Sequence, residues 1–205
     1  MKITVNDLGK KFNREWIFRH LSATFETGKP CSITGGNGSG KSTFIQVLCG
    51  FVPLSEGSIS YERDGISISQ ENFFQYFDIS TPYLELIEEF TLLEFLQFHF
   101  KFKKLKEGLN LNDFIEKVFL TNDREKQIKN FSSGMKQRLK LGLCFYSQSE
   151  VCLLDEPTTN LDEMGIEWYR NAVQSIIKEK LVLVSSNQKH EFDFCSENLH
   201  IPDFK

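Results

Sequence analysis

Gly35-Gly36-Asn37-Gly38-Ser39-Gly40-Lys41-Ser42 fits the pattern G-x-x-x-x-G-K-[ST] at every fixed position. The glycines let successive backbone N–H groups turn inward around a polyanion. The helix that starts near Lys41 and runs on through Thr43 adds its unpaired N–H groups and positive dipole end. Lys41 is placed to reach the β and γ phosphates of a nucleotide, and Ser42 offers its hydroxyl to a magnesium ion bridging them. A flexible glycine loop would explain the glycines but not Lys41 and Ser42 at the required offset. A second cluster, Val151-Cys152-Leu153-Leu154-Asp155-Glu156, puts two carboxylates directly after four apolar residues. That is the C-terminal end of a buried strand, where open parallel sheets bind ligands. Asp155 can hold the magnesium through water, while Glu156 can orient and deprotonate a water attacking the γ phosphate. Paired acids are common at loop starts, and it is the glycine loop upstream that makes these two a candidate site.

The elements that must carry these groups can be read around them. The chain has 205 residues, 40% of apolar type and 25% charged, enough to bury one large core with a subdomain. β-formers run over 1–7 and 21–26, and a short apolar strand over 30–34 enters the glycine loop. A helix is expected over 41–49, ended by Gly50 and Pro53, with strands over 57–61 and 65–70. Ten of the twenty phenylalanines fall between Glu71 and Leu120, with helical spacing in Leu92, Phe95, Leu96, His99 and Phe102. Ser132 or Ser133 can cap a further helix through Cys144. Residues 162–178 read as a helix, 181–185 as a buried strand and 198–201 as a weak last one. Strands alternating with helices imply an α/β fold with a parallel sheet covered on both faces. The expected organisation is one domain over 1–205: a core from 1–70 and 151–205, and a mainly helical part over about 71–150.

Charge and composition exclude several classes of protein. Lys and Arg total 24 against 28 Asp and Glu, a net charge of -4, so no global basic field exists to hold a nucleic-acid backbone. The longest stretch without a charged side chain, Ser42 to Ser55, is fourteen residues, short of the roughly 18 to 20 that cross a bilayer. The N-terminal MKITVNDLGKKF lacks the apolar core of a secretory signal, so the expected location is the cytoplasm. The five cysteines are scattered without a C-x-x-C pair and read as reduced apolar filler.

With these motifs the chain resembles a nucleotide-binding subunit of an ABC transporter, the ATP-binding cassette family, over nearly its whole length. Phe131-Ser132-Ser133-Gly134-Met135 is similar to the family signature LSGGQ, with Phe for Leu, Ser for the first Gly and Met for Gln. The resemblance implies a P-loop NTPase core with a mainly parallel sheet, an N-terminal antiparallel β region and a mainly helical subdomain. It also implies that Ser132, Ser133 and Gly134 contact the γ phosphate of ATP held by a second subunit, as a helix start with free N–H groups can. Thr158-Thr159-Asn160-Leu161-Asp162 is similar to the family's D-loop, which implies contact across a dimer near both nucleotides; Asp162 can equally cap the next helix. Phe12 falls where the family places an aromatic that stacks on adenine, with Trp16 as the competing choice.

Two positions depart from the family. Where it has a glutamine that touches magnesium and the attacking water, this chain reads Ile79-Ser80-Thr81-Pro82-Tyr83, with Gln70 and Gln75 nearby but early. Where it has a histidine that holds the γ phosphate, this chain has Asn187. An amide can donate to phosphate but carries no charge, and His190 is close enough in sequence to substitute if a turn brings it round. The expected activity is therefore slow hydrolysis of Mg-ATP that depends on Glu156. Each chain carries one cradle and one signature turn, so the resemblance implies a head-to-tail homodimer, or a pair with a paralogous ATPase subunit. Separate transmembrane permease subunits would dock on the Phe-rich region and hold the protein at the inner face of the membrane. A soluble ATPase of the cluster-assembly type, or an ATP-gated clamp that scarcely hydrolyses, are the alternatives.

Overall fold

β1 (Lys2–Phe12) and β2 (Glu15–Glu26) form an antiparallel hairpin longer than its alternation predicts. Register shifts after Val5, Leu8 and Lys10 break the period of two, and Asp7 takes a positive φ at the first shift. β3 (Cys31–Thr34) enters the glycine loop, and α1 (Lys41–Leu48) leaves it. β4 (Glu56–Arg63) and β5 (Ile66–Ile68) complete a four-stranded antiparallel sheet in the order β2-β1-β4-β5. This computed structural model describes residues 1–205.

The chain then enters α2 (Gln70–Phe73) and β6 (Phe77–Ser80). β6 lies inside the stretch expected to be mainly helical from 71, yet it pairs in parallel with β7 (Val151–Asp155). Its sequence, FDIS, has no apolar run to mark it. The buried Asp78 is instead satisfied by the hydroxyls of Ser147 and Ser149. Helices α3 (Leu92–His99), α4 (Leu111–Lys117) and α5 (Ser133–Tyr146) follow. Thr91 with Glu94 and Asn110 with Asp113 make capping boxes, which satisfy the free N–H groups at the starts of α3 and α4. α3 stops at His99, so Phe102 lies beyond the helix its spacing suggested. α6 (Glu163–Gln174) is shorter than the 162–178 expected, and β8 (Leu181–Ser185) matches its expected bounds.

β9 (Glu197–His200) closes a wholly parallel sheet of order β6-β7-β8-β3-β9. The continuous apolar run of β7 follows from burial on both faces. Val151 and Leu153 pack with Phe18, Phe44 and Tyr61 between the two sheets, while Cys152 and Leu154 pack with Leu139, Phe145 and Tyr169 on the helical side. The sheet is thereby packed between two cores, with the loops emerging at its C-terminal edge. No helix is long and apolar enough to cross a membrane.

Candidate functional site

The glycine loop, Glu156 and Tyr83 follow β3, β7 and β6, and meet at one edge of the parallel sheet. There Asn37–Thr43, Ile17, Tyr83 and Glu156 line a cleft of about 470 Å³. Gly40 takes φ 108°, and a Cβ on it would sit 2.4 Å from Ile17 Cγ2. Only glycine fits there, so the sequence pattern is also a packing requirement. Lys41 is buried and its Nζ donates to Gly35 O at 2.8 Å and Gly36 O at 3.3 Å, which holds the ammonium inside the loop.

Asp155 is 2% exposed, and Ser185 Oγ donates to its Oδ1 at 2.6 Å. That bond joins the ends of β7 and β8 and orients the carboxylate. Glu156 follows in the left-handed region at φ 46°, with its N–H donating to Ser185 O at 2.9 Å. A non-glycine residue there costs energy that the surrounding bonds must offset, and such residues gather at functional sites. Here the turn aims the Glu156 side chain into the cleft instead of continuing the strand. Asn187, just past β8, donates from Nδ2 to Asn37 Oδ1 at 3.1 Å, so the residue at the histidine position does reach the glycine loop.

Ser132 is the N-cap of α5, its Oγ accepting from Met135 N at 3.2 Å, and Ser132 and Ser133 are both exposed. A Cβ on Gly134 would lie 3.0 Å from Asn160 O, so the glycine lets the signature turn approach the 158–162 loop. Asp162 caps α6 by accepting from Gly165 N at 2.8 Å. Two further residues grip the same loop. Gln137 Nε2 donates to Pro157 O at 2.7 Å, and Glu191 Oε1 accepts from Thr158 N at 2.7 Å and from the Thr158 hydroxyl. Glu191 is 0% exposed, and nothing in the sequence pattern marked it.

Several of the residues singled out in the sequence stand outside this cleft. Phe12 is 47% exposed at the end of the hairpin, its ring covered by Lys10 Nζ at 4.5 Å, and does not line the cleft. Trp16 stacks with Arg19 at 4.4 Å instead, and Ile17 is the hairpin residue that faces the glycine loop. Alternation along β2 turns Trp16 and Ile17 to opposite sides. His190 does not come round to the phosphate loop; its Nε2 lies 3.0 Å from Thr158 Oγ1. Gln70 and Gln75 are absent from the cleft, and Tyr83 is the residue of the 79–83 stretch that enters it.

On the helical side, Phe51, Phe74, Phe77, Phe95, Phe98 and Phe102 surround an apolar groove of about 410 Å³, with Asp78, His99 and Lys103 among its lining residues. Burial holds the His99 imidazole below the usual histidine range, against the pull of Asp78. The lysines of the 101–106 run are partly engaged: Lys103 donates to Phe74 O and Phe77 O at 2.6 Å, and Lys106 pairs with Glu179 at 2.6 Å.

Fold and cleft together define a nucleotide-binding α/β protein whose phosphate loop, paired acids and exposed signature turn sit on separate elements. The family model described as ABC transporter matches residues 18–159, and the chain belongs to that family. An uncharacterized ABC transporter ATP-binding protein of Bacillus subtilis (strain 168), YybJ, is 28% identical over 92% of this chain and 87% of its own length. The lantibiotic transport ATP-binding protein SrtF of Streptococcus pyogenes is 29% identical over 98% of this chain and 84% of its own. The dimeric structure of MJ0796, a bacterial ABC transporter cassette, shares the fold with a TM-score of 0.81 over 97% of this chain and 93% of that one, at 19% identity.

Proposed function

We propose that this chain binds and slowly hydrolyses Mg-ATP between two head-to-tail cassettes, either two copies or one copy with a paralogue, and so drives separate membrane subunits. The observation that carries the reading is the single cleft that Lys41, Ser42 and Glu156 share. Lys41 and the loop N–H groups bind the phosphates, and Glu156 takes a proton from the attacking water. The donor set fits magnesium: the Ser42 hydroxyl and the Asp155 carboxylate, the latter oriented by Ser185, are the hard oxygen ligands it prefers. Bound there, magnesium neutralises charge on the phosphates. The exposure of Ser132 and Ser133 at the start of α5 supports a seal supplied to a neighbouring molecule, because a helix start open to solvent leaves N–H groups free to meet an anion.

The Phe-lined groove supports docking by short helices of membrane subunits, which would place the chain at the cytoplasmic face of a membrane. The names of the relatives support transport as the setting, and the absence of a global basic field favours no nucleic-acid partner. Asn187 favours a second reading, a clamp that closes on ATP and scarcely turns over, because an uncharged amide stabilises the transition state less than a cation.

Calorimetry with Mg-ATP and a phosphate-release assay test the proposal. Lys41→Ala is expected to lose the binding heat. Glu156→Gln is expected to bind ATP while phosphate release falls by about 100-fold or more. Unchanged release by Glu156→Gln, or unchanged binding by Lys41→Ala, overturns the reading, and a wild type that binds ATP but releases no phosphate selects the clamp.

A further inference from the structure

We infer that the Tyr83 hydroxyl is the group that meets the outermost phosphate of the nucleotide, giving the cleft its preference for a triphosphate over a diphosphate. The inference rests on the ATP-binding reading above and adds a residue to it. β6 and β7 run in parallel register, Ser80 opposite Leu154, so the segment after β6 emerges beside Asp155 and Glu156. That segment is a tight turn: Leu84 N donates to Thr81 O at 3.3 Å, with Pro82 at the position where its fixed φ favours such a turn. Lys140 Nζ, from α5, donates to the same Thr81 O at 2.9 Å and pins the turn to the helical part. Tyr83 therefore stands near the tip of an anchored turn and lines the cleft with Lys41, Ser42 and Glu156, though its side chain is 79% exposed.

A large aromatic left in solvent on a pinned turn, beside a phosphate loop, is placed for a ligand and not for the core. A phenol has one O–H to donate, and a bond to a phosphate oxygen is charge-assisted. Leaving from the strand next to the one that carries Glu156, the turn brings Tyr83 to the cleft that Glu156 also lines. Ile17, packed against Gly40, occupies another part of the cleft. A diphosphate lacks the γ phosphate that this hydroxyl would meet, so the contact discriminates between substrate and product.

The test is calorimetry of the full chain with magnesium and either a non-hydrolysable ATP analogue or ADP, for wild type, Tyr83→Phe and Tyr83→Ala. Tyr83→Phe is expected to weaken the analogue about tenfold and leave ADP unchanged. Tyr83→Ala is expected to show the same selective loss. Wild-type affinity for the analogue in Tyr83→Phe overturns the inference, as does an equal loss for both nucleotides, which would mean a displaced turn. If the wild type binds both nucleotides and Tyr83→Phe matches it, only this inference fails; if the wild type binds neither, the ATP-binding reading fails first.

Discussion

Asn187 reaches the glycine loop through Asn37, so the position is built for contact even though its side chain is an amide. An amide can donate to phosphate, but a protonated imidazole would donate and also neutralise charge, and charge-assisted bonds are about twice as strong as neutral ones. Asn187→His is therefore expected to raise phosphate release by up to about tenfold. The gain should be largest where the ring is protonated, below about pH 7, and fade at higher pH as the proton is lost. Asn187→Ala removes the donor and should lower release further. A histidine variant no faster than the parent at any pH would show that the amide is not limiting. Lys41, Ser42, Asp155 and Glu156 were legible in the sequence because their spacing is local: the first two open α1 and the last two stand at the end of β7. Ile17 and Tyr83 were not, because what brings them to the cleft is the approach of Gly40 to β2 and the pairing of β6 with β7.

The 157–162 loop shows what separate elements contribute together. Gln137 of α5 holds its first carbonyl, Glu191 holds the amide and hydroxyl of Thr158, and Asp162 starts α6. Glu191 lies past β8, so the segment that carries Asn187 and the loop that follows Glu156 are tied by one buried carboxylate. Glu191→Ala leaves the Thr158 N–H buried without an acceptor, which costs about 1–3 kcal/mol. The expected outcome is a lower urea midpoint and slower phosphate release, with Mg-ATP affinity unchanged because the cradle is untouched. Glu191→Gln keeps an acceptor oxygen and should recover most of both. If alanine slowed release no more than it would through unfolding alone, or if glutamine restored nothing, the loop is not held this way. At this scale the sequence marked α1, α5, β7 and β8 through caps and continuous apolar runs. It hid β6, whose buried Asp78 is satisfied by Ser147 and Ser149 from about seventy residues away and paired with Lys103 at 3.5 Å.

At the scale of the whole molecule, the parallel sheet between two cores carries the cradle at one edge, while the signature turn begins α5 on the helical side. Each chain then carries one phosphate loop and one exposed cap, and in a head-to-tail pair both composite sites draw one half from each chain. That arrangement makes a quantitative prediction about mixtures. A Lys41→Ala chain lacks the loop half but keeps an intact cap. A Ser132→Arg chain keeps the loop but presents a bulky cation where the cap should close. Alone, each forms pairs in which both sites are broken. Mixed, they form some pairs with one site doubly broken and the other fully intact. Random pairing of equal amounts makes half the pairs mixed, so phosphate release should recover to about a quarter of that of the same total amount of wild-type chain. Melting curves of each variant alone establish that both are folded before mixing. Recovery toward a quarter supports a trans seal, whereas a mixture no more active than its parts would mean that the turn at Ser132 serves its own chain and that the paired arrangement is wrong.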